Sequence, residues 1–265
     1  MGVGRDQISE IHSETAGLKM KKRVIVIIQA HMSSTRLPGK IMKEFCGEPA
    51  LYRMIERVRQ SKLLDDIVIA TSTLPCDDII VEKCNEWGVH TYRGSDSDVL
   101  SRYWGAAQLY PAEVYVRMTS DCPLIDAGWA DKTIQYFLDH NYRYVSNAVN
   151  GMSPTIPMGM GLEVFEASLL DEAYHNATEP FEHEHVTPYM YWKQNSLGAL
   201  PYIEDAHSYR ITLDTQEDYE VISAVYNALY KPGNTFTIDD ILKYLKTHPE
   251  VVAINAGVYQ KKATD

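Results

Sequence analysis

The sequence predicts an α/β fold of three layers, with helices on both faces of a mixed, mostly parallel central sheet. Three observations predict it. Residues 24–28, Val-Ile-Val-Ile-Ile, are consecutive β-branched residues, an unbroken apolar run that suits a strand covered on both faces. Further strand-like segments at 66–71, 89–92, 112–117 and 144–147 alternate with stretches of helical spacing. The first strand runs straight into Gln29-Ala30-His31-Met32-Ser33-Ser34-Thr35-Arg36-Leu37-Pro38-Gly39-Lys40. Open α/β sheets bind ligands in loops of this kind, beyond the carboxyl ends of their strands.

The 265 residues, 45% hydrophobic, suit one large α/β domain or two small ones. No internal repeat or low-complexity linker breaks the chain, so 21–265 reads as a single domain. The formal charge, 25 − 36 = −11, argues against a general nucleic-acid binder. Phosphate chemistry must then use a local basic pocket, helped by a metal. No apolar run is long enough to span a membrane, and the polar residues 1–20 lack a signal-peptide core. Met20-Lys21-Lys22 resembles a second start, so 1–20 is expected to be a disordered extension. Cys46, Cys76, Cys84 and Cys122 show no C-x-x-C spacing and read as reduced, mostly packed thiols of a cytoplasmic protein.

In the loop after the first strand, Ser33, Ser34 and Thr35 offer hydroxyls and approachable amides. Arg36 and Lys40 add two fixed positive charges on either side of a Pro38-Gly39 turn. This set suits a polyphosphate, with Arg bonding bidentately and Lys acting as a point charge. It is neither a Walker A loop nor a G-x-G-x-x-G loop. The run resembles the signature loop of the nucleotidyltransferases that activate sugar acids with CTP. It is most similar to the spore coat polysaccharide protein F group, with sialate and Kdo cytidylyltransferases as more distant relatives. The family pattern Q-A-R-M-x-S-T-R-L-P-x-K is matched except at His31, where the family carries an Arg for a triphosphate contact. The resemblance implies a nucleotide-diphospho-sugar transferase (Rossmann-like) fold, CTP as substrate and Mg²⁺ as cofactor. It also implies Arg36 and Lys40 as catalytic groups, and Gln29, Ala30, His31, Met32, Ser33, Ser34 and Thr35 as nucleotide-binding residues.

Further along, Leu51, Met54, Ile55 and Val58 give helical spacing between Glu48 and Leu63, with Arg53, Arg57 and Arg59 read as the solvated face. Asp66 to Thr71 is a strand ending in Thr71-Ser72-Thr73. The resemblance sets Thr71 and Ser72 on the base-binding side; composition alone equally fits a polar turn. Asp77 to Trp87 reads as a helix closed by Gly88. Arg93-Gly94-Ser95-Asp96-Ser97-Asp98-Val99-Leu100-Ser101-Arg102-Tyr103 matches the family's R-G-S-x-x-D-V-L-x-R-Y, which carries Arg93 and Ser95 over as nucleotide-binding residues. Ser95 or Asp96 is expected to cap a helix starting near Ser97, and the D-S-D carboxylates read as caps rather than as a metal-binding D-x-D.

Ala112 to Arg117 alternates as a strand, followed by Met118-Thr119-Ser120-Asp121-Cys122-Pro123-Leu124-Ile125-Asp126. An Asp just past a central strand, before a Pro-locked turn, is placed to hold a divalent cation beside nucleotide phosphates. The stretch resembles the family's R-x-T-G-D-C-P-L-I-D, with Ser120 in place of Gly. The resemblance implies Asp121 as a metal ligand, Thr119 and Ser120 against the nucleotide, and Arg117 toward the acceptor. A helix follows from Gly128 to Asn141, then a strand at 144–147 and a long loop from Asn150 to Gly161. Met152, Met158 and Met160 in that loop can pack against a ligand, a second subunit or the core. Glu163, polar among apolar neighbours, is a candidate hydrogen-bonding group for the acceptor or a solvent-facing strand position. In the family this region lines the sugar pocket and leads to a dimer contact, which implies a homodimer with an arm around 145–205.

Glu182-His183-Glu184-His185-Val186-Thr187-Pro188-Tyr189 carries two His and two Glu, but no third ligand at a spacing zinc requires. It resembles the family's R-E-H-V-T-P-Y, which implies Glu184 and His185 in the substrate wall; His183 stands for an Arg. Gly198–Ile203 and Tyr209–Leu213 read as strands. Thr215 with Asp218 forms a capping box. The family's L-D-x-P-E-D implies Asp214 as the second metal ligand, with a helix-cap carboxylate as the alternative. The match covers about 23–260 through six motifs in order. It implies Mg²⁺-dependent transfer of CMP from CTP to a sugar acid, with release of pyrophosphate, in surface polysaccharide or glycoconjugate synthesis. A phosphorylated or phosphonate acceptor, a glycosyltransferase, and a non-catalytic nucleotide-binding relative remain open, the last because of His31 and His183.

Overall fold

The structure, a computed structural model, describes residues 21–148, 155–202, 204, 206–233 and 235–260. The expected extension 1–20, Met152 and the tail beyond 260 lie outside them. In chain order the elements are β1 (Val24–Gln29), a short hairpin of β2 (Glu44–Phe45) and β3 (Glu48–Pro49), α1 (Ala50–Val58), β4 (Asp66–Ser72), α2 (Asp78–Glu86), β5 (His90–Gly94) and α3 (Val99–Leu109). Then come β6 (Val114–Thr119), α4 (Ala127–Asp139), β7 (Tyr144–Ser146), β8 (Glu163–Glu166), α5 (Ala167–Asn176), α6 (Pro180–His185), α7 (Pro188–Lys193) and β9 (Leu197–Ala199). The described chain closes with α8 (Gln216–Leu229), α9 (Ile238–Thr247) and α10 (Pro249–Asn255).

Seven strands form the main sheet in the order β5-β4-β1-β6-β8-β7-β9. The β5-β4-β1-β6 portion is parallel, β8 runs antiparallel to both β6 and β7, and β9 is parallel to β7. This is the mixed, mostly parallel sheet the sequence predicts. The apolar run of β1 explains its central place. Val24, Val26 and Ile28 pack with α1, α4 and α8 on one face, while Ile25 and Ile27 pack with α3 and α5 on the other. Each such side chain, fully buried, contributes about 1.5–3 kcal/mol. Burial on both faces is why no polar period interrupts the strand.

Several expectations are corrected. Arg53 and Arg57 are buried, at 2% and 5% exposure, rather than solvated. Arg53 donates to the Phe45 and Cys46 carbonyls, and Arg57 to those of Ile125 and Phe236. A guanidinium with five donors can satisfy loop carbonyls that helices leave over, and helical spacing does not show those carbonyls. The cap of α3 is Asp98, which accepts from the Ser101 amide, rather than Ser95 or Asp96. Residues 209–213 form no strand; Arg210 makes one isolated bridge to Met158. Strands β7, β8 and β9, within the segment expected to serve dimerisation, form one edge of the sheet. Only two of the four free cysteines, Cys84 and Cys122, are packed. Among the described residues no helix is long and apolar enough to cross a membrane.

Candidate active site

The site lies where β1 and β6, paired in parallel, release their loops. After Ala30, whose amide still bonds to the Ala70 carbonyl, the β1 loop is closed by Gly39 N–H on the Met32 carbonyl at 3.1 Å. Gly39 has φ +67°, a left-handed conformation that disfavours side chains, and it caps a 3₁₀ turn at Lys40–Met42 that turns Lys40 inward. Asp77, 1% exposed, clamps the loop from the side: it accepts from the Met32 amide at 2.7 Å and the Ser72 hydroxyl at 2.5 Å.

Lys40 thereby reaches two carboxylates from distant parts of the chain. Its Nζ lies 2.8 Å from Asp214 Oδ1 and 3.3 Å from Asp121 Oδ2. Asp214 is further bound by Arg36 at 3.0 Å and Arg210 at 3.1 Å, and Arg210 also grips Asp218 at 2.7 and 2.9 Å. Three cations thus meet three carboxylates. Burial works against the Lys40 ammonium, but Asp121 and Asp214 outweigh it and raise its pKa above the ordinary lysine value. Burial likewise opposes the Asp121 carboxylate, and Lys40 outweighs it, with the Thr119 hydroxyl helping at 2.5 Å, so its pKa is lowered. The Asp121 carbonyl accepts the Leu213 amide at 2.8 Å, which fixes the two loops to each other.

Beside this cluster is a cavity of ≈ 260 Å³, lined among others by Arg117, Thr119, Ser146, Glu163, His185 and Thr187. Arg117 on β6 faces Glu163 on β8 in register, at 2.5 Å. Glu163 also accepts from the Tyr144 hydroxyl at 2.5 Å and the Thr187 hydroxyl at 2.7 Å. Both of its oxygens thus tie together neighbouring walls of the pocket. Between His185 and Thr187, Val186 has φ +71° and is fully buried. That conformation is strained for a β-branched residue and turns both neighbours to the cavity.

The cytidylyltransferase profile matches residues 25–254. The chain belongs to the cytidylyltransferase family. It is therefore a CTP-dependent nucleotidyltransferase. The spore coat polysaccharide biosynthesis protein SpsF of Bacillus subtilis is 37% identical over 215 residues, covering 77% of this chain and 86% of SpsF. A 3-deoxy-manno-octulosonate cytidylyltransferase of Koribacter versatilis is 33% identical over 104 residues, 38% of each chain. The solved structure of a cytidylyltransferase from Leptospira borgpetersenii superposes with a TM-score of 0.82 at 33% identity, covering 90% of this chain and 99% of that one.

Within this cytidylyltransferase the motif residues separate into groups. Ser33, Thr35 and Arg36 are exposed on the loop, and Ser34 accepts from the Leu37 amide at 3.4 Å. Thr71 and Ser72 belong to β4 and are fully buried. Arg93 braces the β4 loop from behind, donating to the Ser72 and Leu74 carbonyls, and Ser95 accepts the Asp98 amide. Ser120 is buried, its amide on the Gln29 carbonyl. Glu184 is exposed and His185 half-buried beside a second cavity, of ≈ 470 Å³. Of the two His that stand where the resemblance leads one to expect Arg, His183 sits away from both cavities and holds Asp98 at 3.0 Å, joining α6 to α3. His31 stays in the loop with Nδ1 3.0 Å from the Ser33 hydroxyl. Its pKa is lowered, first by burial and then by the Lys40 charge, so it is neutral at pH 7. Sequence reasoning missed Asp77, Arg210, Tyr144 and Thr187 as supports of the site; the capping box at Asp218 was the one signal near Arg210.

Proposed function

We propose that this cytidylyltransferase transfers CMP from CTP to a sugar-acid acceptor with the help of Mg²⁺, releasing pyrophosphate. The observation that carries the reading is the meeting of Arg36, Lys40, Asp121 and Asp214 at 2.8–3.3 Å beside a separate acceptor-sized cavity. Asp121 and Asp214 fit a hard divalent cation, because their oxygens converge on a single ammonium and Mg²⁺ needs only one or two carboxylates. With two carboxylates as ligands, the remaining positions fall to phosphate and water. When bound, the ion supplies charge neutralisation and orientation of the triphosphate.

The chain's own groups do the rest. Arg36 and Lys40 exchange carboxylates for phosphate oxygens, and their charge stabilises the leaving pyrophosphate. The acceptor hydroxyl gives its proton to water and its oxygen bonds to the α-phosphorus as the bond to the bridging oxygen breaks and pyrophosphate leaves. The cavity at Arg117, Thr119, His185 and Thr187 holds the acceptor in line, a matter of position more than of covalent chemistry. Likeness to SpsF supports a role in surface polysaccharide synthesis, and likeness to the Kdo enzymes supports the sugar-acid class. Exposed Trp192 and Leu197, at 59% and 38%, support a homodimer through the 145–205 region, which size-exclusion chromatography with light scattering tests.

The test is calorimetry with CTP, UTP, ATP and GTP, with and without Mg²⁺, followed by pyrophosphate release with a panel of 2-keto sugar acids. Selective, Mg²⁺-dependent CTP binding and release with at least one acid is expected. Selective CTP binding with release only from a phosphorylated or phosphonate acceptor overturns the sugar-acid assignment.

A further inference from the structure

After α10 the chain returns to the Lys40 cluster. The helix itself is anchored there. Val251 is buried, and Asn255, 3% exposed, donates to the Arg210 carbonyl at 3.0 Å and to Asp218 Oδ1 at 2.8 Å. The Val258 amide closes the helix on the Asn255 carbonyl at 3.0 Å. The next two residues meet the two arginines that hold Asp214. The Tyr259 carbonyl accepts from Arg36 Nη1 at 3.4 Å, across 223 positions of the chain, and Gln260 Oε1 accepts from Arg210 Nη1. The other terminal nitrogen of each arginine, Nη2, lies on one and the same atom, Asp214 Oδ2, at 3.0 and 3.1 Å. Two guanidiniums thus cover one carboxylate oxygen, and residues 259 and 260 tie both of them from outside.

We propose that residues 257–260 form an autoinhibitory strap, which keeps Arg36 on Asp214 until a triphosphate displaces it. The inference rests on the nucleotide reading of the Lys40 cluster and goes beyond it. Nη1 and Nη2 of an arginine are the fork that grips a phosphate bidentately. In Arg36 that fork is divided between the strap and Asp214. The contest is uneven. Tyr259 offers a neutral carbonyl and Gln260 a neutral amide, whereas phosphate oxygens are charged, and hydrogen bonds to charged partners are stronger. The triphosphate therefore wins Arg36, but each binding event first has to open the strap. Opening costs little burial. Ala256, Gly257, Tyr259 and Gln260 are exposed, Tyr259 at 65%, and segments with few buried contacts open locally without global unfolding. The framework stays behind when the strap leaves, because Asp218 and Asn255 still hold Arg210.

The test compares the wild type, a chain ending at Gly257 and Gln260→Ala, by calorimetry with CTP and Mg²⁺, by calorimetry with inorganic triphosphate and Mg²⁺, and by thermal melts. A strap closed about nine-tenths of the time weakens apparent affinity about tenfold. The chain ending at Gly257 is expected to bind both ligands about tenfold more tightly than the wild type. Its Tm is expected to be unchanged, since α10 and Asn255 remain. Gln260→Ala is expected to gain less, and it decides the matter if the shortened chain does not fold. In the wild type, CTP is expected to speed tryptic cleavage after Lys261 and Lys262, read by mass spectrometry. Unchanged CTP affinity in the folded shortened chain overturns the proposal. So does weaker affinity, which would make the segment part of the binding site, and so does cleavage that CTP does not speed. If neither the wild type nor the shortened chain binds CTP, the nucleotide reading falls and the strap with it; binding by the shortened chain alone supports both.

Discussion

The two ends of the site proposed above, the nucleotide end at Lys40 and the acceptor end at Arg117, hold their charges differently. At the nucleotide end, Lys40 is shared by Asp121 and Asp214, and Asp214 is shared by Lys40, Arg36 and Arg210. At the acceptor end, Arg117 has one carboxylate among the described residues, Glu163, which Tyr144 and Thr187 also hold. A shared cluster can give up a contact and remain compensated. A single buried pair cannot. The nucleotide end is thus suited to trade carboxylates for phosphates during turnover, and the acceptor end is suited to staying still.

The largest effect tests the fixed end. Glu163→Leu removes the one ion-pair partner that Arg117 has among the described residues, and its Nε is already buried without an acceptor. Breaking a buried pair from one side costs about 3–5 kcal/mol, whereas replacing both members by apolar groups is often close to neutral. Denaturant melts should therefore show a severe loss in Glu163→Leu and recovery of most of it in the Arg117→Met, Glu163→Leu double variant. A mild loss in the single variant would mean the acceptor end is as forgiving as the nucleotide end, and the contrast would collapse.

Next comes the shared end. Lys40→Met should lower kcat by about 10²–10³, the usual effect of losing one donor that meets developing charge. It should leave the fold in place, because Arg36 and Arg210 still serve Asp214, while the Asp121 side chain is 26% exposed and keeps the Thr119 hydroxyl. The same variant reports on electrostatics. In the wild type the Asp121 pKa is depressed chiefly by Lys40 against burial, so its contribution to stability is present above the ordinary carboxylate value of about 3.9 and is lost as pH falls through the lower folded value. The raised Lys40 contributes below about 10.4 and is lost as pH rises through its folded value. Carboxyl NMR should show Asp121 titrating higher in Lys40→Met. An unmoved Asp121 with an unchanged kcat would remove Lys40 from the mechanism.

How legible each end was follows the same division. The nucleotide loop is contiguous, from the β-branched strand through Arg36 to Lys40, so local sequence was enough to mark it. The central parallel strands were legible for the same reason. The supports are distant: Asp77 reaches Met32 across 45 positions, and Glu163 meets Arg117 across 46. No period or cap announces such contacts. Arg53 and Arg57 show the limit from the other side, since helical spacing marks an apolar stripe but not which loop carbonyls await a donor. Tyr209–Leu213 alternates as a strand does, yet it finds only a single bridging partner, and pairing is what makes a strand.

The smallest predicted effect sharpens the comparison at its centre. His31 occupies a loop position where the family resemblance leads one to expect Arg, and its ring is kept neutral by burial and by Lys40. If the nucleotide end works through exchangeable charge, His31→Arg should tighten CTP by about 1 kcal/mol, in line with one added charge-assisted contact in a partly wet loop. The sign with pH is set by the depressed His31 value. The wild-type ring gains a proton only as pH falls below the ordinary histidine value of about 6.5, whereas the arginine is charged throughout. The gap in CTP affinity between variant and wild type should therefore be wider at pH 8 than at pH 5.5, and protonation of CTP itself cancels in that comparison. Equal affinities at both pH values would place His31 outside the phosphate contacts and leave Arg36 and Lys40 to carry the triphosphate alone.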